Sequence, residues 1–232
     1  MPERYTLTAS REVLTARYKI DVHQAYTPTF NAAPTKLHPV TTAVSPQGFS
    51  FFYYGTIPGW GGNKSISSKL LHVHKTDVES RSAVRKLLRT QRCLIPLDGF
   101  YLWKKVSKKS KIPYRFTLQN KGIFSVPGFW EEFEDENDEL HHTFRIIITD
   151  TPSIFTGFEN NFPVILDPEV EKKWIDMAVD ESELVSMLTN SMGDKMNCYT
   201  VSKKIEELEA DHEGLIAPAP SMDQFGNYSL FD

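Results

Sequence analysis

Short runs of apolar, β-branched and aromatic residues, bounded by turn residues, dominate the middle of the chain. Such runs are typical of β-strands, because β-branched and aromatic side chains fit the half-buried, pleated surface of a sheet. The runs read GFSFFYYG, RCLIPLDGFYLW, YRFTL, GIFSVPGFW, TFRIIIT and PVIL. The pattern therefore predicts that β-sheet is the main element of the central part of the chain.

Helices are predicted where the apolar residues take a helical spacing. One helix is predicted from Val78 to Arg89, and two more in DPEVEKKWIDMA and DESELVSMLTN. The last two begin at Asp167-Pro168 and at Asp180; aspartate caps first-turn amides, and proline fits the first helical position. Strands that mostly follow one another and are interrupted by helices predict an α+β fold.

Composition narrows the class of protein. The 232 residues are 40% hydrophobic and 24% charged, close to a globular average, and no repeat or long linker divides them, so we expect a single domain over residues 1–232. The formal net charge of -4 does not attract nucleic acid as a whole, so any such site is local. Two cysteines and a polar start without an apolar segment predict a cytoplasmic protein with no membrane partner, and we also expect a monomer.

Two charge runs interrupt the predicted strands. The stretch WKKVSKKSKIPY contains Lys104 and Lys105 and predicts a lysine-rich loop, either a phosphate contact or a solvated hairpin tip. The acidic stretch EEFEDENDE predicts a solvated loop. Neither run identifies a function without further signals.

A succession of short stretches carries the strongest signal: FNAAPT, YGTIPGW, RCLIPLDGFYLW, PYRF, PGFWE, IIITDTP and NNFPVIL. This order resembles the SOS-response-associated peptidase (SRAP) family, and the resemblance extends from Arg4 to about Pro218. It implies a single SRAP-like domain with a barrel-like, mainly antiparallel sheet flanked by helices. It also implies a positively lined groove for single-stranded or abasic DNA.

The resemblance implies a particular chemistry at the amino terminus. Members of the family begin Met-Cys-Gly-Arg and lose the methionine, and the new terminal cysteine captures the aldehyde of an abasic site. The α-amine condenses with the aldehyde and the thiolate closes a thiazolidine ring. The same cysteine is credited with removing the preceding peptide, and an Asn, a Glu and a His of the family assist.

This sequence departs from the family at each of those positions. Pro2 stands where the cysteine belongs, His72 replaces the Asn, and His74 replaces a neighbouring Arg. Leu102 replaces the Glu, and Glu159 replaces the His. No thiazolidine forms without the thiol, and leucine neither donates nor accepts a hydrogen bond. Pro2, His72 and Glu159 are therefore catalytic candidates by position only.

One interpretation is a DNA-binding module that has lost the crosslinking and peptidase chemistry. Contacts to the DNA backbone combined with base stacking work without sequence readout. The candidate contacts are Arg4, Asn31, Trp60, His74, Lys104 and Lys105. For Trp60, a place in the core or at its rim is the alternative.

A second interpretation gives Pro2 a chemical role. Removal of Met1 leaves a secondary amine, which attacks an aldehyde to form an iminium and permits elimination of the 3′ phosphate. Formamidopyrimidine-DNA glycosylases also begin Met-Pro-Glu and use that amine in this way. A free α-amine has a pKa of about 8, and Glu3 or Glu159 would move the proton. The alternative is that Pro2 is a tolerated terminal residue.

A third interpretation is a zinc site. His72 and His74 lie two apart in a predicted strand, on one face, and the resemblance adds Glu159. The alternative is an exposed histidine pair, and we expect no metal and no cofactor. Cys93, within the apolar RCLIP stretch, is predicted to be an inert core thiol.

Overall fold

The computed structural model contains two β-sheets, with helices on the outer face of one of them. It describes residues 3–58, 68–108, 110–135, 137–189 and 192–220. The strands are β1 (Tyr5–Leu7), β2 (Thr29–Ala32), β3 (Leu37–Thr42), β4 (Ser45–Tyr54), β5 (His72–His74), β6 (Arg92–Leu97), β7 (Gly99–Lys105), β8 (Lys111–Leu118), β9 (Phe124–Glu134), β10 (Leu140–Thr149), β11 (Phe162–Pro163) and β12 (Met196–Thr200). The helices are α1 (Arg11–Tyr18), α2 (Ser68–Leu71), α3 (Lys75–Ser80), α4 (Ser82–Arg85), α5 (Leu87–Thr90), α6 (Pro168–Ile175) and α7 (Glu181–Ser186).

The first sheet has the order β12-β8-β7-β1-β2, and every pairing in it is antiparallel. The first strand of the chain therefore lies inside the sheet, hydrogen bonded to β7 on one side and to β2 on the other. This topology fixes where the amino end of the chain lies.

The second sheet closes on itself. Its strands run β10-β4-β3-β6-β9, and β9 pairs again with β10 to complete a ring of strands. The pairs β4–β10 and β5–β10 are parallel, and the other pairings are antiparallel. The predicted α+β fold, with a barrel-like, mainly antiparallel sheet flanked by helices, is confirmed.

The alternation of side chains separates two core regions. Cys93 and Ile95 of β6 point into the main core, together with one face of the first sheet, whereas Leu94 points outward. The outer face is covered by α6, whose Trp174 is fully buried and donates from its indole nitrogen to the Cys93 carbonyl at 2.9 Å. None of the helices in the described ranges has the length and apolarity needed to cross a membrane.

The predicted helix from Val78 to Arg89 is wrong as a continuous element. Its apolar residues do face one core region, but three short helices carry them, because the backbone of Arg81 is extended and separates α3 from α4. The predicted α6 and α7 are confirmed, but the strand predicted in PVIL is largely wrong, because only the proline of that stretch lies in β11. Helix α1 was not predicted, since Leu14 is its one buried side chain and gives no apolar stripe.

A buried network ties β1 to the rest of the sheet. The Asp98 carboxylate accepts hydrogen bonds from the Thr6 hydroxyl at 2.6 Å and the Thr8 hydroxyl at 2.7 Å, and it pairs with Arg115 at 3.0 Å. Asp98 and Arg115 are both nearly excluded from solvent. A Cβ atom on Gly99 would lie 2.8 Å from both the Thr6 hydroxyl and the Arg115 side chain, so the network needs glycine there.

The variant D98A tests this anchor. Removing the carboxylate leaves the Arg115 charge buried without its partner, and we expect the free energy of unfolding to fall by about 3 to 5 kcal/mol. Urea unfolding followed by tryptophan fluorescence measures it. The matched control is D138N, at an exposed position in the hairpin between β9 and β10, which should change little. Equal effects of the two variants would contradict the anchor.

Candidate functional site

A cleft of about 310 Å³ opens beside the start of β1. Glu3, the first described residue, forms part of its wall, so the amino end of the chain borders the cleft. The lining residues are Glu3, Arg4, Trp103, Lys111, Glu159 and Glu206. Three carboxylates and two cations therefore share a small volume with one aromatic ring.

Arg4 forms one wall of the cleft, and hydrogen bonds within the protein hold its side chain in place. Its guanidinium donates to the Asn31 side-chain oxygen at 3.0 Å and to the Glu206 carbonyl at 3.0 Å. Asn31 in turn donates to the carbonyls of Ala210, at 2.7 Å, and Glu207, at 3.2 Å. Asn31 is 4% exposed, so its amide is used within the protein, which argues against the predicted contact of Asn31 with DNA.

Burial lowers the pKa of the Arg4 side chain. The nearby carboxylates of Glu3 and Glu206 raise this pKa, but the effect of burial is larger. The charge of Arg4 still borders the cleft, although its donors go to main-chain carbonyls and to Asn31. Arg4 therefore contributes mainly to the architecture of the wall.

Glu159 forms the opposite wall, on a segment that runs beside β7. Its amide donates to the Trp103 carbonyl at 3.3 Å, and its carbonyl accepts from the Thr151 hydroxyl at 2.7 Å. Gly157, two residues earlier, has a positive φ of 87° that suits glycine. The Glu159 carboxylate is bonded to the Lys111 ammonium group.

The electrostatics of this pair keep both partners charged. Burial pushes the pKa of Glu159 upward, but hydrogen bonding and positive charge in the cleft, led by Lys111, outweigh it and the net pKa is lowered. The hydrogen bond to Glu159 raises the pKa of Lys111. A protonated lysine is a poor nucleophile, so Lys111 acts here as a charge.

Trp103 and Glu206 close the rim. The indole nitrogen of Trp103 donates to the Glu206 carboxylate at 2.9 Å. Neither residue was a candidate from the sequence, whereas Lys111 was a possible phosphate contact as part of the lysine-rich loop. Lys111 belongs to the lysine run, but Glu206 lies about a hundred residues from Trp103 in the chain and no local pattern indicates it.

His72 is not among the lining residues. It is buried in β5, where its Nε2 lies 3.1 Å from the hydroxyl of Tyr54. His74 is more exposed and caps α3, with its Nδ1 bonded to the Thr76 hydroxyl at 2.8 Å. Leu102 is fully buried in the main core.

The zinc hypothesis is wrong in its geometry. Across the described part of the chain, the ligand atoms of His72, His74 and Glu159 do not come together. The group of ligand-type residues that does lie within 4.8 Å is Asp135, Glu139 and His141, at the tip of the hairpin between β9 and β10. Its members are hydrogen bonded to one another, with Asp135 and His141 3.0 Å apart.

The lysine run forms a β-hairpin beside the cleft. Lys104 and Lys105 lie at the end of β7, and Lys105 faces Lys111 directly across the hairpin. Lys104 places its ammonium group 5.7 Å from the centre of the Phe158 ring. Lys105 and Lys111 are like charges that face each other, and the Glu159 carboxylate bonded to Lys111 offsets part of their repulsion. We call Lys104, Lys105, Lys108 and Lys111 the lysine hairpin. Pro2 and Trp60 lie outside the described residues.

The chain belongs to the SRAP family, because the family model described as SOS response associated peptidase (SRAP) matches residues 1–208. The "Abasic site processing protein YoqW" of Bacillus subtilis (strain 168) is 28% identical over 218 residues, which are 92% of this chain and 97% of YoqW. The "Abasic site processing protein YMR114C" of Saccharomyces cerevisiae is 27% identical over 201 residues, which cover 82% of this chain and 52% of that protein. A crystal structure of a protein from Bacteroides thetaiotaomicron has the same fold, with a TM-score of 0.77 at 24% identity, covering 94% of this chain and 99% of that one.

The reactivity of the two cysteines tests the packing of the main core. Neither cysteine lines the cleft. Burial raises the pKa of the Cys93 thiol, which is fully enclosed in the main core as predicted. We expect iodoacetamide to leave Cys93 unmodified in the native protein and to alkylate it after unfolding in urea, as read by peptide mass mapping. Cys198, which is half-buried, is the internal control and should react first. Rapid modification of Cys93 in the native state would contradict its burial.

Proposed function

We propose that this SRAP protein binds abasic sites in single-stranded DNA in the DNA-damage response, acting as a monomer in the cytosol. The observation that carries the proposal is the position of β1, which brings the amino end of the chain to a cleft bordered by the lysine hairpin. Family membership and relatives that are named abasic site processing proteins support it. The two unpaired cysteines agree with a reducing compartment.

The lysine hairpin supplies the electrostatic contact with DNA. The protein as a whole is acidic, with a formal net charge of -4, so attraction of a polyanion must come from a local surface. Lys105 and Lys108 are exposed and lie on the same hairpin as Lys104. The predicted contacts of Trp60 and His74 with DNA remain part of this proposal.

We infer that this protein does not carry out the family's thiazolidine chemistry. Cys93 is enclosed in the core, and Cys198 lies on β12, where it does not line the cleft. A thiazolidine needs an amine and a thiol on the same residue, and Pro2 has only the amine. The protein therefore acts first as a binding module.

A second candidate function is an aldehyde reaction at Pro2, favoured by Glu159. Pro2 is bonded to Glu3, which lines the same cleft as the Glu159 carboxylate. The neutral secondary amine adds to the aldehyde carbon of the abasic sugar, and the resulting carbinolamine loses water to give an iminium. Removal of a proton from the adjacent carbon then expels the 3′ phosphate, and Glu159 is the base that we assign to that proton.

The carboxylate at position 159 lies on the other side of β7 from the leucine that replaces the family Glu. The family Glu is replaced by Leu102, which is fully buried. The segment that carries Glu159 is hydrogen bonded to Trp103, the next residue along β7. Leu102 and Trp103 point to opposite faces of the strand, so Glu159 brings a carboxylate to the cleft without replacing the one lost at position 102; in the alignment Glu159 takes the position of the family histidine.

Binding and trapping on an abasic single-stranded oligonucleotide test both candidates. We expect the protein to prefer the abasic strand over an intact strand of the same sequence, as measured by fluorescence anisotropy. With borohydride, reaction at Pro2 predicts a covalent adduct that peptide mapping places on Pro2 and that disappears when the amino terminus is acetylated. Glu159→Gln should slow adduct cleavage by about a hundredfold, the lower range of general base effects.

Each outcome of this experiment is informative. Selective binding without an adduct supports the binding module and rejects the role of Pro2. An adduct on a lysine would reject Pro2 as the nucleophile. Equal affinity for abasic and intact strands would contradict the proposed function.

The salt dependence of binding tests the lysine hairpin. Replacing Lys104, Lys105 and Lys108 by glutamine should reduce the slope of log K against log salt by about 2, since each phosphate contact on a single strand contributes about 0.7. The matched control replaces Lys86, Lys172 and Lys173, exposed lysines on the helical side, with the same change of net charge. An equal loss of slope in the control would show that only total charge matters.

A further inference from the structure

We propose that the open cavity between the end of α1 and α6 is a second ligand site, which takes a neutral, largely apolar small molecule that carries a carbonyl group. The cavity has a volume of about 860 Å³ and lies over the outer face of the second sheet. In the described part of the chain it shares no lining residue with the cleft at the start of β1, so this inference is independent of the proposed DNA function.

Three parts of the fold form the cavity. Thr41 and Leu94 lie directly opposite each other on β3 and β6, and Leu94 points outward, so both side chains form the floor. Glu171 and Ile175 are four residues apart on α6 and therefore lie on one face of that helix, which forms a wall. Residues 17–20, at the end of α1, form a second wall. A cavity of this size is typical of sites for small organic molecules.

The Thr41 hydroxyl is the feature that points to a ligand. Thr41 is 3% exposed, and among the described residues no group lies within hydrogen-bond distance of its hydroxyl. Buried polar groups in proteins are nearly always hydrogen bonded, so an unpaired one needs an explanation. The hydroxyl and methyl groups of threonine are similar in size, and rotation between staggered χ1 positions exchanges them. A ligand in the cavity therefore gives this hydroxyl the partner that the described residues do not supply.

Arg17 offers further donors to the same ligand. One terminal nitrogen of its guanidinium donates to both oxygens of the buried Glu171 carboxylate, at 2.7 and 2.9 Å. The other N–H groups of Arg17 make no hydrogen bond to a described residue. A guanidinium has five N–H donors and no acceptor, so these groups suit a ligand oxygen.

The charges around the cavity balance, because three cations and three carboxylates line it. They are Arg17, Lys19, Lys172, Glu169, Glu171 and Asp176. Equal numbers of opposite charges favour neither an anion nor a cation, and apolar side chains such as Ile20, Leu94 and Ile175 lie between them. The ligand that fits is therefore neutral and mostly apolar, and its carbonyl oxygen accepts from Thr41 and from Arg17.

Binding of prodan tests the site, because prodan is a neutral naphthalene that carries a propionyl carbonyl. We expect its fluorescence emission to shift to the blue as one molecule binds per protein. The ¹³C-methyl signal of Met177, which lines the cavity, should move on binding. The methyl signal of Met196, which is buried in the main core, should stay in place.

The variants Thr41→Val and Thr42→Val separate the effect of the hydroxyl from that of the cavity's shape. Valine has nearly the shape of threonine without the hydroxyl, so T41V should weaken prodan binding by about three- to tenfold, the effect of one hydrogen bond. Binding of the same naphthalene without the propionyl group should change by less than about twofold, because it has no carbonyl to pair. T42V is the matched control, since Thr42 lies opposite Cys93, which points into the main core, and it should leave both affinities unchanged. Thermal unfolding of each variant confirms that it is folded.

Three results would overturn the proposal. The first is the absence of saturable prodan binding, or binding that moves the Met196 signal and not that of Met177. The second is an equal loss of affinity for both naphthalenes in T41V, because shape alone would then explain the effect. The third is a dimer in solution that must dissociate before prodan binds, which would assign the cavity to a second copy of the chain. None of these measurements uses abasic DNA, so failure here leaves the proposed function in place.

Discussion

The buried pairing of Asp98 with Arg115 is the interaction on which the rest of the site depends. The strand it holds, β1, is three residues long, and a strand of that length has few hydrogen bonds of its own. Thr6 and Thr8 tie the strand to the Asp98 carboxylate, while β7 and β2 flank it. A buried charge pair is favourable only when its hydrogen bonds are complete, and here threonine hydroxyls and the Tyr199 hydroxyl complete them.

That anchor turns the first residues of the chain into the wall of a cleft. Arg4 and Asn31 also hold parts of the chain together. Their side chains donate hydrogen bonds to main-chain carbonyls of the segment around residues 205–210 and so hold that segment against the sheet. The cleft that results is small and strongly charged. Its chemistry is therefore set by how its carboxylates are compensated, as Lys111 does for Glu159.

Much of the fold was predictable from sequence, because most strands carry strong β-type runs and the family stretches occur in order. The closed ring was implied only by resemblance, since the pairing of β9 with β10 depends on register. The prediction of one continuous helix from Val78 to Arg89 was wrong, because the spacing of apolar residues does not reveal an extended backbone at Arg81. Helix α1 was missed because burial of one residue, Leu14, leaves no periodic signal.

The site was less accessible to sequence reasoning than the fold. Glu159 was found through its alignment with a family position, and it does line the cleft. Asn31 and Arg4 looked like surface contacts, but buried hydrogen bonds to distant carbonyls occupy them, and no local pattern predicts such partners. His72 and His74 share a strand, yet one side chain is buried against Tyr54 and the other caps a helix. Trp103, Lys111 and Glu206 meet only through the tertiary fold.

We propose that abasic DNA enters the cleft at the start of β1, and the tryptophan indole signals test this entry most directly. The chain has four tryptophans, and the Trp103 indole lies on the cleft rim whereas that of Trp174 is buried beneath α6. In a ¹⁵N-labelled protein, adding an abasic single-stranded oligonucleotide should shift the Trp103 indole signal and leave the Trp174 signal in place. A titration that saturates while Trp103 does not move would contradict the account.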